Sequence, residues 1–70
     1  MGAEKEVTVN GERLSCAPGS TVLDVIRSLN LEPDRVAVEL NRAIVKRDAW
    51  TVTRFDAEAE IEIVQFVGGG

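Results

Sequence analysis

Histidine and tyrosine are absent from this 70-residue chain, which carries one cysteine (Cys16), one tryptophan (Trp50) and two prolines. Each gap removes a class of chemistry. A Ser-His-Asp or Cys-His arrangement needs an imidazole, and zinc sites draw on clusters of Cys and His. A lone thiol cannot close an intrachain disulfide, which fits a reducing compartment. No carboxylate pair is embedded in the kind of apolar setting that tunes acid–base catalysis. No apolar run approaches the ~20 residues that span a bilayer. Met1–Glu6 is charged with no apolar stretch behind it, so it does not read as a secretory signal, and Glu6 stands where a myristoylation motif has Ser or Thr. Basic residues are scarce, eight against twelve acidic, for a net charge of −4 and a pI near 4.6. Such a surface repels phosphate backbones, so neither nucleic acid nor membrane is expected as a partner. The expectation is a cytoplasmic, acidic, single-domain protein that binds no cofactor or metal and is not an enzyme.

What is present patterns clearly. Val7-Thr8-Val9 and Leu14-Ser15-Cys16 alternate apolar with polar, the period of a half-buried strand. The intervening Asn10-Gly11 suits the positive φ angles of a two-residue type I′ turn, so residues on either side form a hairpin. Cys16 shares the Leu14 face and reads as a small buried hydrophobe, not a thiolate. After Pro18-Gly19, Ser20 or Thr21 can cap a helix with Asp24 near its positive end. Val22, Val25, Ile26 and Leu29 form its apolar stripe, Asp24, Arg27 and Ser28 face solvent, and Asn30 and Pro33 end it.

Arg35–Leu40 alternates again, with Val36, Val38 and Leu40 on one face. Asn41-Arg42 connects it to the short pair Ile44-Val45. Lys46–Trp50 is a turn or single helical turn with Trp50 as a packed anchor, and Asp56–Glu60 is an acidic loop. Glu60–Val67 has high β propensity and becomes apolar on both faces at Val64, Phe66 and Val67, the pattern of a central strand buried on both sides. Glu58, Glu60 and Glu62, two apart, share a face that reads as solvated. The order ββαβββ predicts an α+β fold: a β-grasp sheet of four to five strands, mixed in direction, with one main helix and the last strand parallel beside the first. Residues 1–67 form this domain, and 68–70 form a flexible tail.

Gly68-Gly69-Gly70 follows the last strand without a spacer. A glycine tail is thin and conformationally free, and three extended residues reach about 10 Å. It can thread a channel that rejects side chains and present an α-carboxylate at the far end. The competing reading is an uncommitted terminus, and the residues alone weigh the two equally. Val64, Phe66 and Val67 likewise divide between docking contacts and ordinary core.

Val9-Asn10-Gly11, Thr21–Leu29, Val36–Trp50 and Ile61–Gly70 together resemble the sulfur carriers of thiamine biosynthesis, the ThiS family of the ubiquitin-like β-grasp group. Asn41, Ile44, Val45, Arg47 and Trp50 carry the most specific pattern, since a di-glycine end is shared with ubiquitin and the molybdopterin-synthase small subunit. The resemblance implies that Gly70 is adenylated at its carboxylate by an adenylyltransferase related to ubiquitin-activating enzymes, with ATP used by that partner. A persulfide donor then converts it to a thiocarboxylate, and thiazole synthase takes the sulfur for the thiazole ring. Gly68 and Gly69 would thread the partner's channel, and Val64, Phe66 and Val67 would dock against the partner. The alternatives are a carrier for molybdopterin or cysteine synthesis, or a ubiquitin-like interaction module that is never activated.

Overall fold

The computed structural model describes residues 4–66. Strands β1 (Lys5–Val9) and β2 (Glu12–Cys16) form the first hairpin, paired from Lys5 opposite Cys16 to Val9 opposite Glu12. Asn10 and Gly11 make its turn with φ of 51° and 85°, the left-handed values that Asn and Gly adopt most readily. The helix α1 (Val22–Ser28) crosses to β3 (Val36–Leu40) and β4 (Ala43–Val45), and β5 (Glu60–Gln65) completes the sheet. Strand order is β2-β1-β5-β3-β4, with β5 parallel to β1 and antiparallel to β3. This is the expected ββαβββ arrangement, and the last strand is indeed central and parallel beside the first.

Helix α1 is short, so its first turn matters. An isolated helix leaves its leading N–H groups without partners. Here the Val22 and Leu23 N–H groups donate to the Thr53 and Trp50 carbonyls at 2.9 and 3.2 Å. Thr21 is the N-cap: its Oγ1 accepts from the Asp24 N–H at 3.3 Å, and the Asp24 carboxylate accepts from the Thr21 N–H at 2.9 Å. That reciprocal capping box holds the Asp24 carboxyl below the usual carboxylate range, chiefly through the Thr21 backbone N–H and then its hydroxyl. At the far end Leu29 is the C-cap and Asn30 takes φ 59°, which stops the helix where the sequence predicts.

Val22, Val25 and Ile26 seat α1 on one sheet face, against Val7, Val9, Val36, Val38, Ile61 and Ile63. Trp50, Phe55, Ala59 and Cys16 close the margins of this core. Leu29, expected in the apolar stripe, is 38 % exposed, because the helix ends just before it and Leu31 packs against the core instead. The expectation that β5 is buried on both faces is also corrected. Ile61 and Ile63 are buried, whereas Val64 and Phe66 are exposed. One helix covers one face, and β5 is central through its hydrogen bonds, not through two-sided burial. Val67 and the glycines 68–70 lie outside the described residues.

Thr21→Ala is expected to lower stability by about 1 kcal/mol in urea denaturation at neutral pH. Asp24 adds a pH signature. Its folded pKa is depressed, so its contribution is present above the unfolded carboxylate pKa of about 3.9 and lost as pH falls through the lower folded value. Asp24→Ala should therefore differ from the parent at neutral pH and converge with it in strong acid.

Candidate functional site

Side chains alternate across a strand, so every second residue of the central strands points away from α1. On β5 these are Glu60, Glu62 and Val64, all exposed. Directly across on β3 stand Glu39, opposite Glu62, and Ala37, opposite Val64. On β4, Ile44 is opposite Glu39 and is 76 % exposed. The uncovered sheet face thus carries aliphatic side chains from three adjacent strands beside a row of carboxylates. Phe66, 56 % exposed, follows the end of β5, where its N–H donates to the Arg35 carbonyl at 2.7 Å. Of the expected docking residues, Val64 and Phe66 are therefore surface residues and not core. Ile44, read from sequence as one of a short apolar pair, was not expected on this face, and the signal for it was its place in an edge strand with no helix left to cover it.

Glu58 lies outside the strand that carries Glu60 and Glu62, although its carboxylate meets side chains that also point away from α1. It lies in the turn before β5 with φ 69° and accepts from Arg13 on β2 at 3.0 and 3.2 Å, while Arg13 also donates to Glu6 at 2.9 Å. The bond from Arg13 lowers the Glu58 pKa, and the two carboxylates raise that of the guanidinium. This exposed clasp ties the first hairpin to the approach of β5 and contributes little energy.

Two asparagines act directly on β5. Asn10 Oδ1 accepts from the Ile63 N–H at 2.7 Å and Asn10 Nδ2 donates to the Ile63 carbonyl at 3.0 Å. In the β3–β4 turn, Asn41 N–H donates to the Glu60 carbonyl at 2.7 Å and its Oδ1 accepts from the Glu60 N–H at 2.9 Å. Sequence reading placed both residues in turns and missed these bonds.

Cys16 is buried, and desolvation pushes its thiol pKa up despite Lys5 nearby. Burial and a raised pKa disfavour the thiolate, in line with the reading of Cys16 as a small buried hydrophobe. Trp50 is buried, and its indole N–H donates to the Val45 carbonyl at 2.9 Å, so it packs and does not present itself to a partner. Among the described residues, no three His, Cys, Asp or Glu side chains are placed to hold a metal ion, and no helix is long and apolar enough to cross a membrane.

A five-stranded mixed sheet clasping one helix, with parallel first and last strands at its centre and one face bare, defines a ubiquitin-like β-grasp domain. A family model, the ThiS family, matches residues 7–70, and the chain belongs to that family of sulfur carriers. It is 26 % identical to the sulfur carrier protein ThiS of Escherichia coli, over 93 % of this chain and 98 % of that one. The crystal structure of thiamine biosynthesis protein ThiS from Geobacter metallireducens superposes with a TM-score of 0.76 at 28 % identity, covering 93 % of this chain and 99 % of its counterpart. Thiazole synthase of Magnetococcus marinus is 34 % identical over 93 % of this chain, which spans only 20 % of that longer protein.

Because Val64 and Phe66 are exposed, Val64→Ser and Phe66→Ser should each shift stability by no more than about 0.5 kcal/mol. Ile63→Ala, one residue away but facing α1, should cost about 2–5 kcal/mol. Urea titrations of the three variants check this contrast. Alkylation of Cys16 by iodoacetamide at neutral pH should be slow in the native protein and fast in denaturant.

Proposed function

We propose that this chain carries sulfur as a thiocarboxylate on Gly70 for formation of the thiazole ring of thiamine. The observation that carries the reading is that the family match runs through Gly70, so the glycine end lies within the family's extent. The Gly70 carboxylate attacks the α-phosphorus of ATP on an adenylyltransferase and releases pyrophosphate. The resulting acyl-adenylate is electrophilic, as a free carboxylate is not. The terminal sulfur of a persulfide displaces AMP and leaves an acyl disulfide. A thiol cleaves that disulfide, becoming oxidised to a disulfide itself, and the carrier keeps the thiocarboxylate. Thiazole synthase then uses this sulfur as its nucleophile.

The chain's share of the reaction is presentation. Residues 67–70 span at most about 14 Å when extended, so an enzyme enclosing Gly70 comes within that distance of Phe66. The uncovered face with Val64, Ala37 and Ile44, together with exposed Phe66 just before the tail in sequence, is assigned here to partner docking, and Val67 is proposed to contribute to the same contact. Aliphatic centres ringed by charge suit interfaces that form and dissociate. Two thiazole synthases, from Magnetococcus marinus and Paramagnetospirillum magneticum, contain a segment similar to this chain amounting to 20 % of their length. That supports thiazole synthase as the consumer of the sulfur.

Intact-protein mass spectrometry tests the reading. After incubation with ATP, a persulfide donor and the cognate adenylyltransferase, the mass should rise by the difference between sulfur and oxygen, with the change confined to Gly70. Deleting Gly70 should abolish the gain while leaving the circular dichroism spectrum unchanged. An unaltered parental mass would refute the carrier role.

A further inference from the structure

The two edges of β5 are held unequally. Along β3, pairing runs from Leu40 opposite Ile61 to Val36 opposite Gln65, and the Phe66 N–H adds its bond to Arg35. Along β1, strand pairing ends at Val9 opposite Ile61, where the Asn10 N–H donates to the Ile61 carbonyl at 2.9 Å. Beyond that point β1 has turned into its hairpin. The edge then borders an open cleft of about 390 Å³ lined by Asn10, Leu29, Ile63 and Gln65 among others. Across this gap the Asn10 amide bonds both main-chain groups of Ile63. It does for Ile63 what one further residue of β1 would have done, and among the described residues it is the last hold on that edge.

We propose that Asn10 is a positioning residue for the chemistry at Gly70, fixing the direction in which β5 releases the chain toward the partner's active site. The proposal rests on the carrier reading above. A partner that grips the sheet face and encloses the tail makes two demands on one rigid body, and the end of β5 sets their relative placement. Without the Asn10 amide, the segment from Ile63 to Phe66 is held along one edge only. It can then swing about its β3 pairing, and the carboxylate spends less time aligned with the phosphorus it must attack. Misplacement of about 1 Å at a reacting centre is enough to slow a reaction substantially. Asn41 provides the internal comparison. It also holds β5 from a left-handed turn, through its backbone N–H and its side-chain oxygen, but at Glu60, the start of the strand and away from Gln65.

Glycine keeps the positive φ of either turn and removes only the side-chain amide, two bonds to β5 at Asn10 and one at Asn41, so Asn41→Gly is the control for loss of an asparagine at a left-handed turn. The measurement is ATP–pyrophosphate exchange by the cognate adenylyltransferase, with the carrier as the varied substrate. Loss of folded carrier lowers the effective substrate concentration and raises KM without touching kcat. Loss of alignment acts inside the complex and lowers kcat. Asn10→Gly should reduce kcat on the order of tenfold with little change in KM, and Asn41→Gly should keep the parental kcat. Hydrogen exchange should show the Ile63 amide losing protection in Asn10→Gly while Ile61 retains it, a readout that involves no partner. Should Asn10→Gly fold poorly, Asn10→Asp keeps the turn and the acceptor for the Ile63 N–H but sets an anionic oxygen against the Ile63 carbonyl, and it too should lower kcat. A parental kcat in both Asn10 variants, or an equal fall in Asn41→Gly, overturns the assignment. If the parental chain itself supports no exchange, the carrier reading falls first and this inference with it.

Discussion

The main-chain hydrogen bonding of β5 is the constraint on which the other features rest. A strand laid between a parallel and an antiparallel neighbour has both edges occupied, so it is fixed in register and direction without being buried on both faces. Its neighbours come from opposite ends of the chain order: β1 opens the first hairpin and β3 follows the helix. Inserting β5 between them closes the fold, and it places Glu60–Gln65 at the centre of the sheet. A tail leaving an edge strand would move with that edge. A tail leaving β5 is referenced to the whole sheet.

The second constraint is one of area. Helix α1 is seven residues long, and the side chains it directs at the sheet cover a single face. Val7, Val9, Val36, Val38, Ile61 and Ile63 take that cover, and the alternate residues are left bare. On the bare face, Glu39 stands opposite Glu62, a like-charge cross-strand pair that mildly opposes pairing. That cost beside exposed Ile44 and Val64 means that this face contributes little to the stability of the isolated domain. The same face gains little from folding, so it can be varied for recognition without jeopardising a core that, at this size, supplies only about 3–5 kcal/mol.

Most of the architecture was legible in the sequence because local signals agreed with one another. Asn10-Gly11 has the turn chemistry its hairpin requires, Thr21 and Asp24 sit at capping-box spacing, and the two alternating strands after the helix keep their register. The misreadings have separate physical causes. Val64 and Phe66 read as part of a strand buried on both sides, because an apolar residue looks the same in a string of letters whether it faces a helix or solvent. Glu58 looked like part of the Glu60–Glu62 stripe, yet its left-handed φ breaks the alternation before β5 begins. The Asn41-Arg42 turn lacks the glycine that marks the first hairpin, so only the structure reveals it as the second of a matched pair. The asparagine bonds to Ile63 and Glu60 span 53 and 19 residues, a separation that no pattern of neighbours encodes. For the tail, glycine composition framed two readings, and membership of the family favoured one.

The absences that mark this chain acquire a physical reason once the tail is the reactive element. Converting a carboxylate to an acyl-adenylate demands phosphate binding, a metal ion and exclusion of water, which require enclosure that a sheet with one helix does not have. Under the proposed function a chain this small meets a different demand, that one terminal group be delivered to its partners in a reproducible position. Reproducibility comes from hydrogen bonds and not from bulk, which is why polar groups at the turns can matter as much as the core. An asparagine in a left-handed turn serves twice: its backbone reverses the chain, and its amide, left free on the concave side, substitutes for a missing peptide group on the neighbouring strand. Pairing with the first hairpin thereby ends at Ile61 while the strand it supports runs on to Gln65, leaving the cleft beside Gln65 open with Ile63 still held by the Asn10 amide.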